Sequence, residues 1–154
     1  MTESVRIRPA ESADQAAIQA CVDSAYERYV ARMGKKPAPM LDDYAELIER
    51  GVVSVAVSNG SLVGLVVGWP REDHFYVDNI AVSPDAQGTG VGATLLRHAD
   101  AMALAADRTE IRLYTNEAMS ENIDYYPRKG FVETHRAVEA GYNRVYYTRS
   151  VPPS

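Results

Sequence analysis

The sequence predicts an α/β protein, more narrowly an α+β arrangement in which a mixed central sheet of about six to seven strands is flanked by helices. Three observations carry this. Stretches of alternating or branched and aromatic residues recur from one end of the chain to the other. Between them, apolar residues spaced by three and four mark helices that are apolar on one face. A glycine-rich turn then leads from one strand into such a helix, so the strand after that helix returns parallel to the strand before it.

Val5 to Arg8 alternates apolar and charged side chains and reads as a strand ended by Pro9. Ser12 or Asp14 caps a helix whose stripe is Ile18, Cys21, Val22, Ala25 and Tyr29. Gly34 to Met40 is a loop by composition. Asp42 or Asp43 starts a second short helix that ends at Gly51, with Tyr44, Leu47 and Ile48 turned inward. Tyr26, Tyr29, Met33, Met40 and Tyr44 on these helices are mostly packing residues, and a minority could line a pocket.

Val52 to Val57 and Leu62 to Trp69 form a hairpin about Asn59-Gly60, a pair that tolerates the positive dihedrals of a tight turn. Pro70 to Asp73 ends it, and Phe75 to Val82 is the next strand, with His74, Tyr76, Asp78, Ile80 and Val82 on one face and Phe75, Val77, Asn79 and Ala81 on the other. After the glycine turn, Val91, Leu95, Ala99, Met102 and Ala106 form a helical stripe that closes near Asp107. Ile111 to Thr115 is the returning parallel strand, and Ala118 to Tyr126 is a short helix that Pro127 stops. Phe131 to Arg136 and Asn143 to Arg149 make a final hairpin around Glu139 to Gly141, and residues 151–154 form a frayed tail.

A chain of 154 residues suits one core, so residues 1–154 are expected to form a single domain. The formal net charge of −5 argues against a nucleic-acid surface, which needs a basic stripe. No apolar run is long enough to span a bilayer and no basic-then-apolar leader opens the chain, so no membrane partner is expected and a cytoplasmic location is. Cys21 is the sole cysteine and sits among Ile18, Val22 and Ala25, as a buried small hydrophobe does, not a nucleophile. His74, His98 and His135 show no metal-ligand spacing, and no metal is implied.

The stretch Ala86-Gln87-Gly88-Thr89-Gly90-Val91-Gly92 concentrates the chemistry. Glycines at a helix start let the backbone approach a ligand closely, and the free N–H groups with the helix dipole favour an anion. A phosphate or pyrophosphate site follows, with an ordinary tight turn as the simpler alternative. A dinucleotide turn is a third reading, since Gly88, Gly90 and Ala93 fit G-x-G-x-x-G/A and Glu110 follows about twenty residues after Gly90. It fits poorly, because Ser83 to Ala86 separate strand from glycines and Glu110 opens its strand where the motif needs an acid at the end.

This order of elements resembles the GNAT acetyltransferase family over Val5 to about Arg149. Gln87, Gly90 and Gly92 occupy the family pattern Q/R-x-x-G-x-G/A, Ala81 to Pro84 fits the usual end of its fourth strand, and Tyr126 lies four residues before Gly130-Phe131 in Tyr-x-x-x-Gly-Phe. The resemblance implies the acyl-CoA N-acyltransferase fold and acetyl-CoA as cofactor. Its pyrophosphate would rest on the amides of Gln87, Gly88, Thr89, Gly90, Val91 and Gly92, and its pantetheine on the main chain of Ile80, Ala81 and Val82, as an added strand would. The Val82 amide would polarise the thioester carbonyl.

By the same resemblance Tyr126 is the general acid for the departing thiolate, with Tyr125 as fallback and aromatic packing as the plain alternative for either. Asp78 is the leading base, acting directly or through water; a strand-edge charge or an arginine's partner is the other reading. One position departs from the family. Met119 stands where an asparagine usually reaches the pantetheine, and Asn122, one turn later, either replaces it or merely adds helix-surface polarity.

The implied activity is N-acetylation of a primary amine on a small-molecule or amino-acid-like acceptor, by direct attack in a ternary complex. A peptide or protein amine is an alternative, as is a non-catalytic acyl-CoA-binding or sensor domain. Glu72, Asp73 and Asp78 favour a cationic acceptor. A homodimer is possible, with the last hairpin and its Tyr142, Tyr146 and Tyr147 either pairing between copies or covering the sheet.

Overall fold

The described residues form seven strands, β1 (Arg6–Pro9), β2 (Val53–Ser58), β3 (Ser61–Pro70), β4 (Phe75–Val82), β5 (Glu110–Asn116), β6 (Val132–Glu139) and β7 (Tyr142–Ser150), of which β4 and β5 alternate buried and part-exposed side chains while β2 and β3 are buried on both faces over much of their length. Period-3.6 stretches produce the helices α1 (Gln15–Met33), α2 (Tyr44–Glu49), α3 (Val91–Ala105) and α4 (Ser120–Arg128). The computed structural model describes residues 4–152. Residues 153–154 of the expected tail, and the first three residues, lie outside these. The strands form one sheet in the order β1-β2-β3-β4-β5-β7-β6. The chain divides into two compact units, one holding the residues up to Gly68 with Asn79–Ala99, the other Trp69–Asp78 with the residues from Asp100 onward.

In the first unit β1 pairs antiparallel with β2, from Arg6↔Val57 to Pro9↔Ser54. β2 and β3 form the expected hairpin, closed at Ser58↔Ser61 by Asn59 and Gly60 at φ 52° and 75°. The buried face of α1 is Ile18, Cys21, Val22, Ala25, Tyr26 and Tyr29. Its start differs from a simple cap: Ser12–Asp14 form a 3-10 turn, and Asp14 accepts the Glu11 N–H at 2.7 Å while pairing with Arg8 at 2.8 Å. Asp43 caps α2, accepting the Glu46 N–H at 3.2 Å. Burial pushes the Cys21 thiol up to about 11, so it stays protonated and inert, as its sequence neighbours suggest.

In the second unit β4 runs parallel to β5 over Phe75↔Ile111 to Val77↔Leu113, the crossover geometry the glycine turn predicts. β5 pairs antiparallel with β7 from Glu110↔Ser150 to Asn116↔Arg144, and β7 with β6. Ala140 and Gly141, at φ 52° and 81°, turn the last hairpin. Three expectations need correction. Helix α4 starts at Ser120 because Asn116 Oδ1 accepts the Ala118 N–H at 2.9 Å and holds a turn there. Pro127 does not stop this helix but sits in its last turn, where the Lys129 and Phe131 N–H groups bond to the Tyr126 carbonyl at 2.9 and 3.1 Å. Val151 is not frayed, since its side chain is buried and its N–H bonds Thr109 O at 2.8 Å.

Candidate functional site

In the first unit, the chain leaves β4 through Ser83, makes a 3-10 turn over Pro84–Ala86 and reaches α3 through Gln87 to Gly90. The turn is braced from within. The Ala86 N–H bonds Ser83 O at 2.9 Å, the Thr89 hydroxyl bonds Ala86 O at 2.5 Å, and the Ser83 N–H bonds Val63 O on β3 at 2.9 Å. Gly88 and Gly90 take φ 80° and 94°, and a Cβ on either would meet no atom within 4 Å. Positive φ explains why glycine is needed here, and the open space leaves the backbone accessible.

The first helical bond of α3 runs from the Thr94 N–H to Gly90 O at 3.0 Å. The amides of Val91, Gly92 and Ala93 therefore have no acceptor inside their own helix, and α3 adds its dipole. A cation reaches the turn itself, an Arg28 guanidinium nitrogen lying 3.5 Å from Gln87 Oε1. Main-chain donors, a helix N-terminus and a guanidinium together fit a diphosphate.

Gln87 does more than the sequence pattern conveys. Its Nε2 donates to Val82 O at 3.1 Å, fastening the end of β4 to the turn. On the same strand the Tyr26 hydroxyl donates to Asn79 Oδ1 at 2.5 Å and lies 3.2 Å from the Ile80 carbonyl. Asn79 Nδ2 donates to the Tyr44 hydroxyl at 3.0 Å, which donates to Pro39 O at 2.6 Å. Asn79 is only 4% exposed, so this chain of bonds satisfies a buried amide. Sequence reading missed the network. The available signal was an asparagine on the otherwise apolar face of Phe75, Val77 and Ala81.

The second unit carries the other expected residues. Tyr126 is buried, with its ring 5.6 Å from Phe131 and 5.9 Å from Tyr147, whereas Tyr125 is half-buried with Lys129 Nζ 5.5 Å from its ring centre. Asn122 is not mere helix-surface polarity, because its Nδ2 donates to Thr115 Oγ1 on β5 at 3.1 Å. Met119 is buried beneath them and accepts the Thr115 hydroxyl on sulfur at 3.4 Å.

Asp78 accepts the Tyr76 hydroxyl at 3.0 Å. Among the described residues no arginine pairs with it, which removes the arginine-partner reading. Asp73 behaves differently. It lies 2.6 Å from His74 and 3.6 Å from Arg112, and the His74 hydrogen bond holds its carboxyl below the usual range. Its charge is already matched, so of the acids expected to attract a cation Asp73 is the weaker candidate.

Residues 49–133, more than half of the chain, match the sequence profile of the acetyltransferase (GNAT) domain. The chain belongs to the GNAT acetyltransferase family. As a GNAT protein it is an acetyltransferase that uses acetyl-CoA, and its seven-stranded mixed sheet with flanking helices is the GNAT fold. Solved structures similar to it include the PaiA N-acetyltransferase of Thermoplasma acidophilum in complex with coenzyme A, at 16% identity and TM-score 0.77, covering 96% of this chain and 99% of that one. Nourseothricin acetyltransferase is 20% identical with TM-score 0.74, covering 96% and 99%. The ribosomal-protein-S18-alanine N-acetyltransferase of Escherichia coli is 18% identical with TM-score 0.72, covering 98% and 96%. No curated protein sequence matches the chain. Among the described residues no helix is long and apolar enough to cross a membrane.

Proposed function

We propose that this GNAT protein transfers the acetyl group of acetyl-CoA to a primary amine on a small-molecule or amino-acid-like acceptor, by direct attack with both substrates bound. The observation that carries the reading is the turn at Gly88 and Gly90, with open space at both Cβ positions and the unpaired first-turn amides of α3 behind it. In this reading the amides of Gln87 to Gly92 hold the diphosphate, and Arg28 adds a positive charge beside it. Main-chain groups of Ile80, Ala81 and Val82 bond the pantetheine arm, and the Val82 amide polarises the acyl carbonyl. The Asn122 Nδ2 faces Thr115, so its carboxamide oxygen is the atom offered to the arm.

Acetyl-CoA supplies an activated thioester. The protein must manage the protons, because an amine near neutral pH is mostly ammonium and only its free lone pair attacks. Asp78 receives the amine proton, directly or through a water, and Tyr126 delivers one to the departing thiolate. Asp78 is half-buried, bonded to a neutral phenol and without a cationic partner among the described residues, a setting that suits an acceptor bringing its own positive charge. Residues 1–154 act as one acetyltransferase domain on this view, supported by similar structures that span nearly all of the chain and of themselves.

The test is thiol release from acetyl-CoA in the presence of small amines, amino acids and short peptides. Release that depends on a small amine is the expected result. Release with peptide amines alone would overturn the acceptor class, and binding of acetyl-CoA with no release for any amine would contradict the reaction.

A further inference from the structure

The open face of the second unit carries a row of aromatic side chains that no step above uses. Trp69 meets Tyr76 edge-on with ring centres 5.1 Å apart, Tyr76 stacks with Tyr114 at 6.3 Å, and Tyr114 lies 5.5 Å from Tyr146. The Arg71 guanidinium sits 4.2 Å over the Tyr76 ring, and that of Arg144 sits 4.2 Å over Tyr114. Tyr76 is thus held at its edge by an indole, on one face by a guanidinium and by a neighbouring phenol, with contacts from three strands or loops. Such a ring has little rotational freedom, so its hydroxyl oxygen is held in place, within hydrogen-bond reach of the Tyr114 phenol as well as of Asp78.

Toward Asp78 the hydroxyl donates to Oδ1, at 3.0 Å. Both residues lie on β4, two positions apart and on the same face, so the strand itself sets their spacing. Among the described residues nothing else hydrogen-bonds the Asp78 carboxylate. Oδ1 is pinned, and Oδ2 has no hydrogen-bond partner among the described residues.

We propose that Tyr76 is a positioning residue for acetyl transfer, its phenol anchoring Oδ1 of Asp78 so that Oδ2 is presented to the acceptor amine. This rests on the reading that Asp78 meets the amine. Tyr76 exchanges no proton in the reaction; it orients the group that does. Burial, and after it the Asp78 charge, pushes the Tyr76 phenol well above the usual tyrosine range, so it remains a donor throughout the working pH range. The charged and titratable groups around the pair are Arg71 from the β3–β4 connection, Tyr114 from β5 and, over Tyr114, Arg144 from β7.

Tyr76→Phe keeps every ring contact and removes only the hydroxyl, so folding should survive it. The probe reaction is acetyl-CoA with whichever small amine gives the highest thiol release. Tyr76→Phe should lower kcat/KM for the amine roughly tenfold with KM for acetyl-CoA unchanged. Asp78→Asn should lower it further, and adding Tyr76→Phe to Asp78→Asn should then cost nothing more, because the phenol acts only through the carboxylate. Additive losses, or a loss in Asp78→Asn with none in Tyr76→Phe, would overturn the role of Tyr76 alone. No loss in Asp78→Asn would overturn the reading of Asp78 and this proposal with it. A readout that needs no acceptor is 19F NMR of protein carrying 3-fluorotyrosine. The resonance missing from Tyr76→Phe should change its chemical shift in Asp78→Asn relative to the parent at one pH within the working range, and an unmoved resonance would show that the contact is not made.

Discussion

A single glutamine shows how a motif position gains its physical meaning. At position 87 the side chain bonds Val82 O through Nε2 and meets Arg28 through Oε1, so one residue joins the strand end, the glycine turn and α1. Tyr126 illustrates a different balance, since its ring packs against Phe131 and Tyr147 whatever its hydroxyl does. Tyr126→Phe keeps that packing and should lower kcat by about 100- to 10,000-fold, the usual scale of general acid catalysis, with the affinity for coenzyme A unchanged. Steady-state turnover with calorimetry on the same variant checks this, and an unchanged kcat under chemistry-limited conditions would remove Tyr126 from the reaction.

Among the elements, β4 carries Asp78 in one compact unit and Ile80, Ala81 and Val82 in the other. Its alternation was legible from residues 75 to 82 alone, because every second side chain is buried as a period of two requires. The glycine turn was legible for a similar reason, since positive φ at Gly88 and Gly90 leaves a mark in residue type. Contacts between distant positions left no such mark. Asn79 finds Tyr26 and Tyr44, 53 and 35 residues away, and no local pattern announces such a pairing. Pro127 misled because a proline forbids a helical hydrogen bond at its own nitrogen, a constraint that the last turn of α4 accommodates.

Gly64 on β3 makes a further prediction at this scale. A Cβ there would stand 2.9 Å from the Ala81 carbonyl oxygen, 3.0 Å from Leu95 Cδ1 and 3.2 Å from Val91 Cγ1. Backbone cannot yield as a side-chain tip can, so Gly64→Ala should destabilise the fold by about 1–3 kcal/mol, the range for overpacking. Urea denaturation measures it, and a stability equal to the parent's would show that β3, β4 and α3 pack less tightly than described.

For the whole molecule, protonation offers a test that is independent of catalysis. His98 on α3 lies 3.2 Å from Ser54 Oγ, and burial holds its imidazole below the ordinary 6.5. As pH falls past about 6.5 the unfolded chain takes up a proton that the folded chain resists. The stability His98 contributes is therefore complete above that pH and is lost as pH falls through the folded value. Denaturation midpoints should decline between about pH 7 and pH 5 in the parent and decline less in His98→Gln. The carboxylates held low by arginine partners, Asp14 and Glu110, release their contributions only in more acidic solution. A parent whose midpoint stayed flat over this range would contradict the burial of His98.

Calorimetric titration of coenzyme A, set beside pantetheine under the same conditions, tests the central claim most directly, because the two share the arm and only coenzyme A carries the diphosphate, with its adenosine 3′-phosphate, that the Gln87–Gly92 amides are proposed to grip. The account predicts one coenzyme A site per chain and at least a hundredfold weaker binding of pantetheine, about 2.8 kcal/mol at 1.4 kcal/mol per tenfold. Equal affinities, or no uptake of coenzyme A by folded protein, would contradict it.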